Sequence, residues 1–291
     1  MFESFERARV ETPGAEIELV HGGDGPPVLL LHGNPQTHAM WHLVAPRLAE
    51  EFTVVASDLR GYGDSSKPFG DEDHSTYSKR AMAGDQAAVM ESLGFDSFAI
   101  VGHDRGGRVG HRMALDYPDR VTKLAVLDIV PTRHVFRTVG KDLATAYYHW
   151  FFLIQPYDLS ETLIGADPSY YLRKKLGGWG TNLETFAPEV LAEYERCFDD
   201  AMIHASCEDY RAAASIDLVH DDADLDEGRK VECPLLALWG GRGVVERIYD
   251  VEAVWREYAN DVRGRSLDTG HFLAEERPEE TAHELTTFLR E

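Results

Sequence analysis

Val101-Gly102-His103-Asp104-Arg105-Gly106-Gly107-Arg108 is the stretch that decides how the chain is read. The run before it, Phe98-Ala99-Ile100-Val101, is short and apolar, the pattern of a strand buried on both faces, and Gly106 to Tyr117 after it carries the helical period. A strand that turns at once into a helix through Gly102-x-Asp104-x-Gly106 has the form of a nucleophile elbow, with aspartate at the reactive position. So sharp a turn needs glycine, because side chains there would collide with neighbouring backbone. The helix start aims its N–H groups and positive dipole end at Asp104, which favours the carboxylate. An Asp before Gly-Gly also fits a simple helix cap. Partners elsewhere in the chain must therefore decide between the two readings.

Outward from the elbow, Val28-Leu29-Leu30-Leu31, Phe52 to Ala56 and Leu124 to Leu127 read as further buried strands, and Tyr77 to Leu93 as a helix. Alternating strands and helices predict an α/β fold whose mostly parallel sheet is flanked by helices. Phe5 to Val10 and Glu16 to Val20 alternate apolar and polar residues and are expected to form an antiparallel hairpin at the sheet edge. After Pro131 the texture changes: residues 132–226 are rich in Tyr, Trp, Phe and His, with helical spacing and no clear strand. Leu235 to Gly240 then resumes the strand pattern, and Pro278 to Arg290 makes a closing helix. The expected organisation is a core of residues 1–131 and 227–291 with a helical cap, 132–226, inserted into it.

The 291 residues carry 29 Lys plus Arg against 51 Asp plus Glu, a formal charge of −22. That field repels phosphate backbones and anionic membranes, so a nucleic-acid or membrane partner is not expected. An anionic substrate would need a local cationic site. The start, MFESFERARVETPG, has no apolar signal region, and no stretch approaches the roughly 20 apolar residues of a membrane span. Cys197, Cys207 and Cys233 are odd in number and far apart, which fits a reduced cytoplasm, and no Cys/His cluster has zinc-site spacing. A soluble cytoplasmic protein is expected.

Three partners for Asp104 stand where such a fold would place them. His32-Gly33-Asn34-Pro35 follows the strand ending at Leu31, the position of an oxyanion donor. Gly270-His271-Phe272 follows Arg265-Ser266-Leu267 near the C-terminus, the place of a general base. The acid is less direct. Many relatives of this frame carry Trp-Gly-x-x-Asp after a later strand, but here the run is Trp239-Gly240-Gly241-Arg242-Gly243. One strand earlier, Val126-Leu127-Asp128-Ile129-Val130 puts an Asp at a strand's C-terminal end, where α/β active sites are built. Asp128 is the expected partner of His271, with a loop-capping role as its bland alternative.

With these residues in view, the chain resembles the fluoroacetate (haloacetate) dehalogenases of the α/β-hydrolase superfamily over nearly its whole length. The resemblance rests on His32-Gly33-Asn34-Pro35-Gln36, Asp58-Leu59-Arg60-Gly61-Tyr62-Gly63, His103 to Arg108, Leu127-Asp128-Ile129, His149-Trp150 and Gly270-His271-Phe272. The elbow arginines combined with His149-Trp150 are its most specific part. It implies Asp104 as nucleophile, His271 as base and Asp128 as triad acid. Arg105 and Arg108 would bind the substrate carboxylate, a match that guanidinium geometry supports on its own. His149, Trp150 and Tyr210 would hold the departing halide, and the backbone N–H groups of Asn34 and Arg105 would form the oxyanion hole. That family often has Phe at the position of Asn34, whereas haloalkane dehalogenases use an Asn there to hold halide. The Asn34 side chain is left with either part, backbone alone or added halide donor.

The implied reaction is hydrolysis of a 2-haloacetate to glycolate and halide through an aspartyl ester, with no metal or organic cofactor, by a homodimer. Two alternatives stay open. An epoxide hydrolase shares the Asp-His-Asp frame and would use cap tyrosines from among Tyr147, Tyr148, Tyr170, Tyr171 and Tyr210. A catalytically silent ligand-binding protein is possible on the same fold.

Overall fold

A computed structural model describes residues 1–291. Eight strands form one sheet: β1 (Glu6–Glu11), β2 (Glu16–Gly22), β3 (Pro27–Leu31), β4 (Thr53–Ser57), β5 (Phe98–His103), β6 (Val121–Leu127), β7 (Leu235–Gly240) and β8 (Val262–Leu267). Their order across the sheet is β1-β2-β4-β3-β5-β6-β7-β8. β1 and β2 pair antiparallel, as their alternation predicts, and β2 joins β4 antiparallel. Every other pairing is parallel. The central strands β3, β5 and β6 lie deep in the core, and β5 is buried along its whole length. Unbroken apolar runs are what a sheet covered on both faces requires.

β8 was not expected as a strand. Val262-Arg263-Gly264-Arg265-Ser266-Leu267 has no apolar run, and its arginines are exposed at alternate positions. It forms because β7 offers a free edge, which it pairs in parallel from Leu235–Val262 to Gly240–Leu267. Residues 132–226 contain helices and no strand, from Thr132–Thr138 to Ile216–Asp226. The chain then re-enters the sheet at β7, and Pro278–Arg290 is the last helix. No helix is long and apolar enough to cross a membrane.

The C-terminal ends of β3, β5, β6 and β7 lie side by side, so the residues that follow them converge on one region. Those residues are His32 to Pro35, Asp104, Asp128 and Gly240 to Gly243. This is the edge at which parallel sheets present their sites.

Candidate active site

β5 passes into the helix Arg105–Asp116 through Asp104, whose backbone takes φ +43° and ψ −111°. That is a strained conformation for a residue with a side chain, held only because its surroundings fix it. Two glycines make the turn sterically feasible. A Cβ on Gly102 would lie 2.5 Å from the Gly106 carbonyl oxygen, and one on Gly106 would lie 2.5 Å from the Leu31 carbonyl. Asp104 makes no side-chain cap hydrogen bond to its helix, so its carboxylate is not spent as a cap. Instead Oδ2 accepts the backbone N–H of Asn34 at 3.1 Å. Burial works against ionisation of Asp104, but His271, Arg108 and Arg105 outweigh it and hold the carboxyl below its usual range.

His271 Nδ1 donates to Asp128 Oδ2 at 2.5 Å, which leaves Nε2 as the free ring nitrogen. The other Asp128 oxygen accepts the Gly240 N–H at 3.0 Å, so this residue orients the imidazole and caps the β7 turn at once. A Cβ on Gly243 would come within 3.5 Å of Asp128 Oδ1. Gly243 is where the Trp-Gly-x-x-Asp pattern puts its acid. The two acid positions, far apart in sequence, therefore meet in space, and a carboxylate at one leaves room for glycine at the other. The peptide of His271 is held too: its N–H donates to Trp179 O, and its carbonyl accepts His103 Nε2 at 2.9 Å. Burial lowers the His271 pKa, but the hydrogen bond and charge of Asp128 more than offset it and leave it above its ordinary value.

Asp104, Asp128, His271, Arg108, His149 and Trp150 line one small cavity, with Tyr147 and Trp179 completing its wall. Arg108 lies with its guanidinium 4.6 Å from the Trp150 ring centre, its Nη1 bonded to Val130 O at 2.9 Å and Thr132 Oγ1 at 3.1 Å. Both partners are neutral, and its Nε is buried without a partner. Arg105 stands behind, over the Tyr210 ring at 4.2 Å. One edge of it is occupied: Nε and Nη2 bind the Asp209 carboxylate at 2.9 and 2.5 Å. Only Nη1 remains free, buried and unpartnered. Asp209 in turn takes Lys79 and, at 2.7 Å, the Tyr62 hydroxyl. Tyr210 packs at 5.6 Å from the His149 ring and 5.9 Å from Trp150, so the three expected halide donors form one aromatic cluster.

The Asn34 side chain is engaged by neighbours at both of its amide atoms. Its Nδ2 donates to Ser206 Oγ at 3.0 Å, while its Oδ1 accepts Lys175 Nζ. Trp179, Asp209 and Lys175 had not been singled out in the sequence. Trp179 sits at φ +55° in Gly177-Gly178-Trp179-Gly180, and a bulky aromatic among three glycines was the available signal. Asp209 stands next to Tyr210 between Glu208 and Arg211, and nothing in that charged stretch signals that it is buried. No group of three His, Cys, Asp or Glu side chains is placed to hold a metal ion.

A parallel sheet with an aspartate at a strand-to-helix elbow and a buried His–Asp pair beside it defines a hydrolase class. In agreement, the family model for the alpha/beta hydrolase fold matches residues 26–278, and the chain belongs to that family. Among curated proteins it is 51% identical to a fluoroacetate dehalogenase from Burkholderia sp, over 99% of this chain and 95% of that one. It is 35% identical to a soluble epoxide hydrolase from Corynebacterium sp. (strain C12), over 91% of each. The crystal structure of ALR0039 from Nostoc sp PCC 7120 matches with a TM-score of 0.97 and 60% identity, covering 99% of each chain.

Proposed function

We propose that this protein hydrolyses the carbon–halogen bond of small 2-halo acids such as fluoroacetate and chloroacetate, giving glycolate and halide. The observation that carries this reading is Arg108. A guanidinium buried beside Asp104 and bonded only to neutral oxygens is set up for a substrate carboxylate. An epoxide has no charge to match it. The free Nη1 of Arg105 supplies a second donor, with Asp209 fixing the guanidinium plane. The likeness to a fluoroacetate dehalogenase over nearly the whole chain points the same way.

In the proposed reaction an Asp104 oxygen attacks the α-carbon in line with the C–X bond. The bonding pair leaves on the halogen towards His149, Trp150 and Tyr210, and Asp104 becomes a neutral ester. His271 Nε2 then takes a proton from water, and the hydroxide oxygen adds to the ester carbonyl carbon. The N–H groups of Asn34 and Arg105 stabilise the oxyanion. Glycolate leaves with the proton returned from His271, and the Asp104 carboxyl then loses the proton of the added hydroxyl to solvent, which restores the carboxylate. Asp128 holds the imidazole in the required tautomer.

The helical segment 132–226 acts in this reading as a cap that supplies the halide donors and closes the cavity. The three cysteines are unpaired, in keeping with a cytoplasmic protein, and the family resemblance supports a homodimer. The test is halide release from fluoroacetate and chloroacetate, wild type beside Asp104→Asn. Release by the wild type alone is expected. Equal release by both proteins, or by neither, overturns the assignment.

A further inference from the structure

Along the sequence, Arg173-Lys174-Lys175 reads as the solvated basic end of a helix. The structure separates the last residue from the others. Lys175 lies in the last turn of the helix Pro168–Leu176 and is only 3% exposed, with Nζ turned into the protein. Its one hydrogen bond goes to Asn34 Oδ1, and no carboxylate lies within 4 Å. Around Nζ stand the rings of Trp179 at 5.6 Å and of Tyr171 and Tyr210 at 5.9 Å. The Asn34 amide is locked in this orientation because its Nδ2 already serves Ser206. A buried ammonium with aromatic faces and one amide oxygen, but no counterion, is costly and calls for an anion. Burial drives its pKa down to about 7 against the pull of Asp104.

Two of those rings also contact His149: Trp179 at 4.9 Å and Tyr210 at 5.6 Å. Lys175 therefore borders the His149–Tyr210 cluster and shares the Tyr210 ring with Arg105, close enough that the charges of Asp104 and Arg105 both act on it. In the displacement, one negative charge moves off Asp104 and onto the leaving halide, while the carboxylate charge stays put. His149, Trp150 and Tyr210 offer only neutral dipoles on the side that receives it, since burial pushes the His149 pKa well below its ordinary value.

We propose that Lys175, held in place by the Asn34 side chain, is a positioning residue that compensates the charge of the departing halide from beside the His149–Tyr210 cluster. This rests on the dehalogenase reading above. Its effect is electrostatic, in a buried site where a single charge is felt strongly. It also gives Asn34 a purpose: the side chain is the clamp that keeps the ammonium facing inward.

The test compares Lys175→Met and Lys175→Gln with the wild type on fluoroacetate and chloroacetate. It adds chloride titrations, followed by tryptophan fluorescence at constant ionic strength, of the Asp104→Asn protein with and without Lys175→Met. Fluoride, the poorer leaving group, needs the most help. Kcat on fluoroacetate should fall about tenfold or more in both variants, with a clearly smaller fall on chloroacetate, and chloride should bind about tenfold more weakly. Equal losses on the two substrates, or unchanged chloride affinity, would overturn the proposal, because a packing defect predicts the former. Absence of halide release from the wild type would instead remove the reading on which it rests. Methionine replaces a buried charge by an apolar chain of similar length, so folding should survive. Glutamine provides a second, polar neutral replacement.

Discussion

At the scale of single residues, the proposed base His271 and its partner Asp128 fix the expected pH dependence. Asp128 holds the imidazole pKa above its ordinary value despite burial. A base must be neutral to take a proton from water. Ester hydrolysis should therefore be absent when His271 is charged, and rise with pH through that elevated pKa. Asp128→Asn removes the negative charge that favours the imidazolium, so the acid limb of kcat should move to lower pH while kcat falls about ten-thousandfold. A pH–rate profile of both proteins checks this, and an unmoved limb would separate Asp128 from the base. Asp104 and His271 were legible in the sequence because each falls at a slot defined by a strand end. Asp128 was reached only through the missing Asp after Gly240, and the reason for the exchange, its carboxylate lying against Gly243, exists only in three dimensions. Lys175 was illegible, since its neighbours Arg173 and Lys174 are exposed and nothing local sets it apart.

Among the elements, the β5 turn and the helix behind it depend on close backbone contact. Gly106 Cα faces the Leu31 and His32 carbonyls of the β3 end, and an added methyl would sit 2.5–2.6 Å from them. Main chain at the middle of a sheet cannot yield as a flexible side chain does. Gly106→Ala should thus cost about 1–3 kcal/mol or more through overpacking. For a chain of this size that is a fall in melting temperature of several degrees, at roughly 2–4 °C per kcal/mol. Gly140→Ala is the control, since nothing lies within 4 Å of its added methyl, and it should melt like the wild type. Calorimetry on the two variants decides; equal melting temperatures would mean that the elbow tolerates a side chain. The same crowding explains which elements were readable. β3 to β7 are buried and announce themselves as apolar runs, whereas β8 owes its conformation to the edge of β7 and shows only exposed arginines.

Across the whole molecule, the helical segment 132–226 is tied to the sheet-bearing core by buried polar contacts. Most join opposite charges: Arg105 and Lys79 to Asp209, and Arg112 to Asp224. The contact through Glu275 is different. Its Oε1 accepts the Tyr194 hydroxyl at 2.9 Å and its Oε2 accepts Gln36 Nε2 at 2.5 Å, with no cation present. Tyr194 belongs to the inserted segment and Gln36 to the loop after β3, so this carboxyl joins both to the stretch just beyond His271. Burial lifts its pKa from 4.5 to about 8, the two hydrogen bonds only partly opposing. Gln36 Oε1 is buried without a partner, and a turn of that amide would let it accept a proton carried by Glu275. A carboxyl whose folded pKa is raised favours the protonated folded state. Its contribution should be constant below pH 4.5, decline as pH rises to about 8, and level off above. Glu275→Gln mimics the protonated form at every pH and escapes this loss. The melting temperature of the variant relative to wild type should therefore climb between pH 5 and pH 8 and hold steady beyond it. Thermal melts of the two proteins followed by circular dichroism across that range measure the difference directly. A gap independent of pH would mean that Glu275 stays ionised in the folded protein, and that the inserted segment is held to the core across a buried charge.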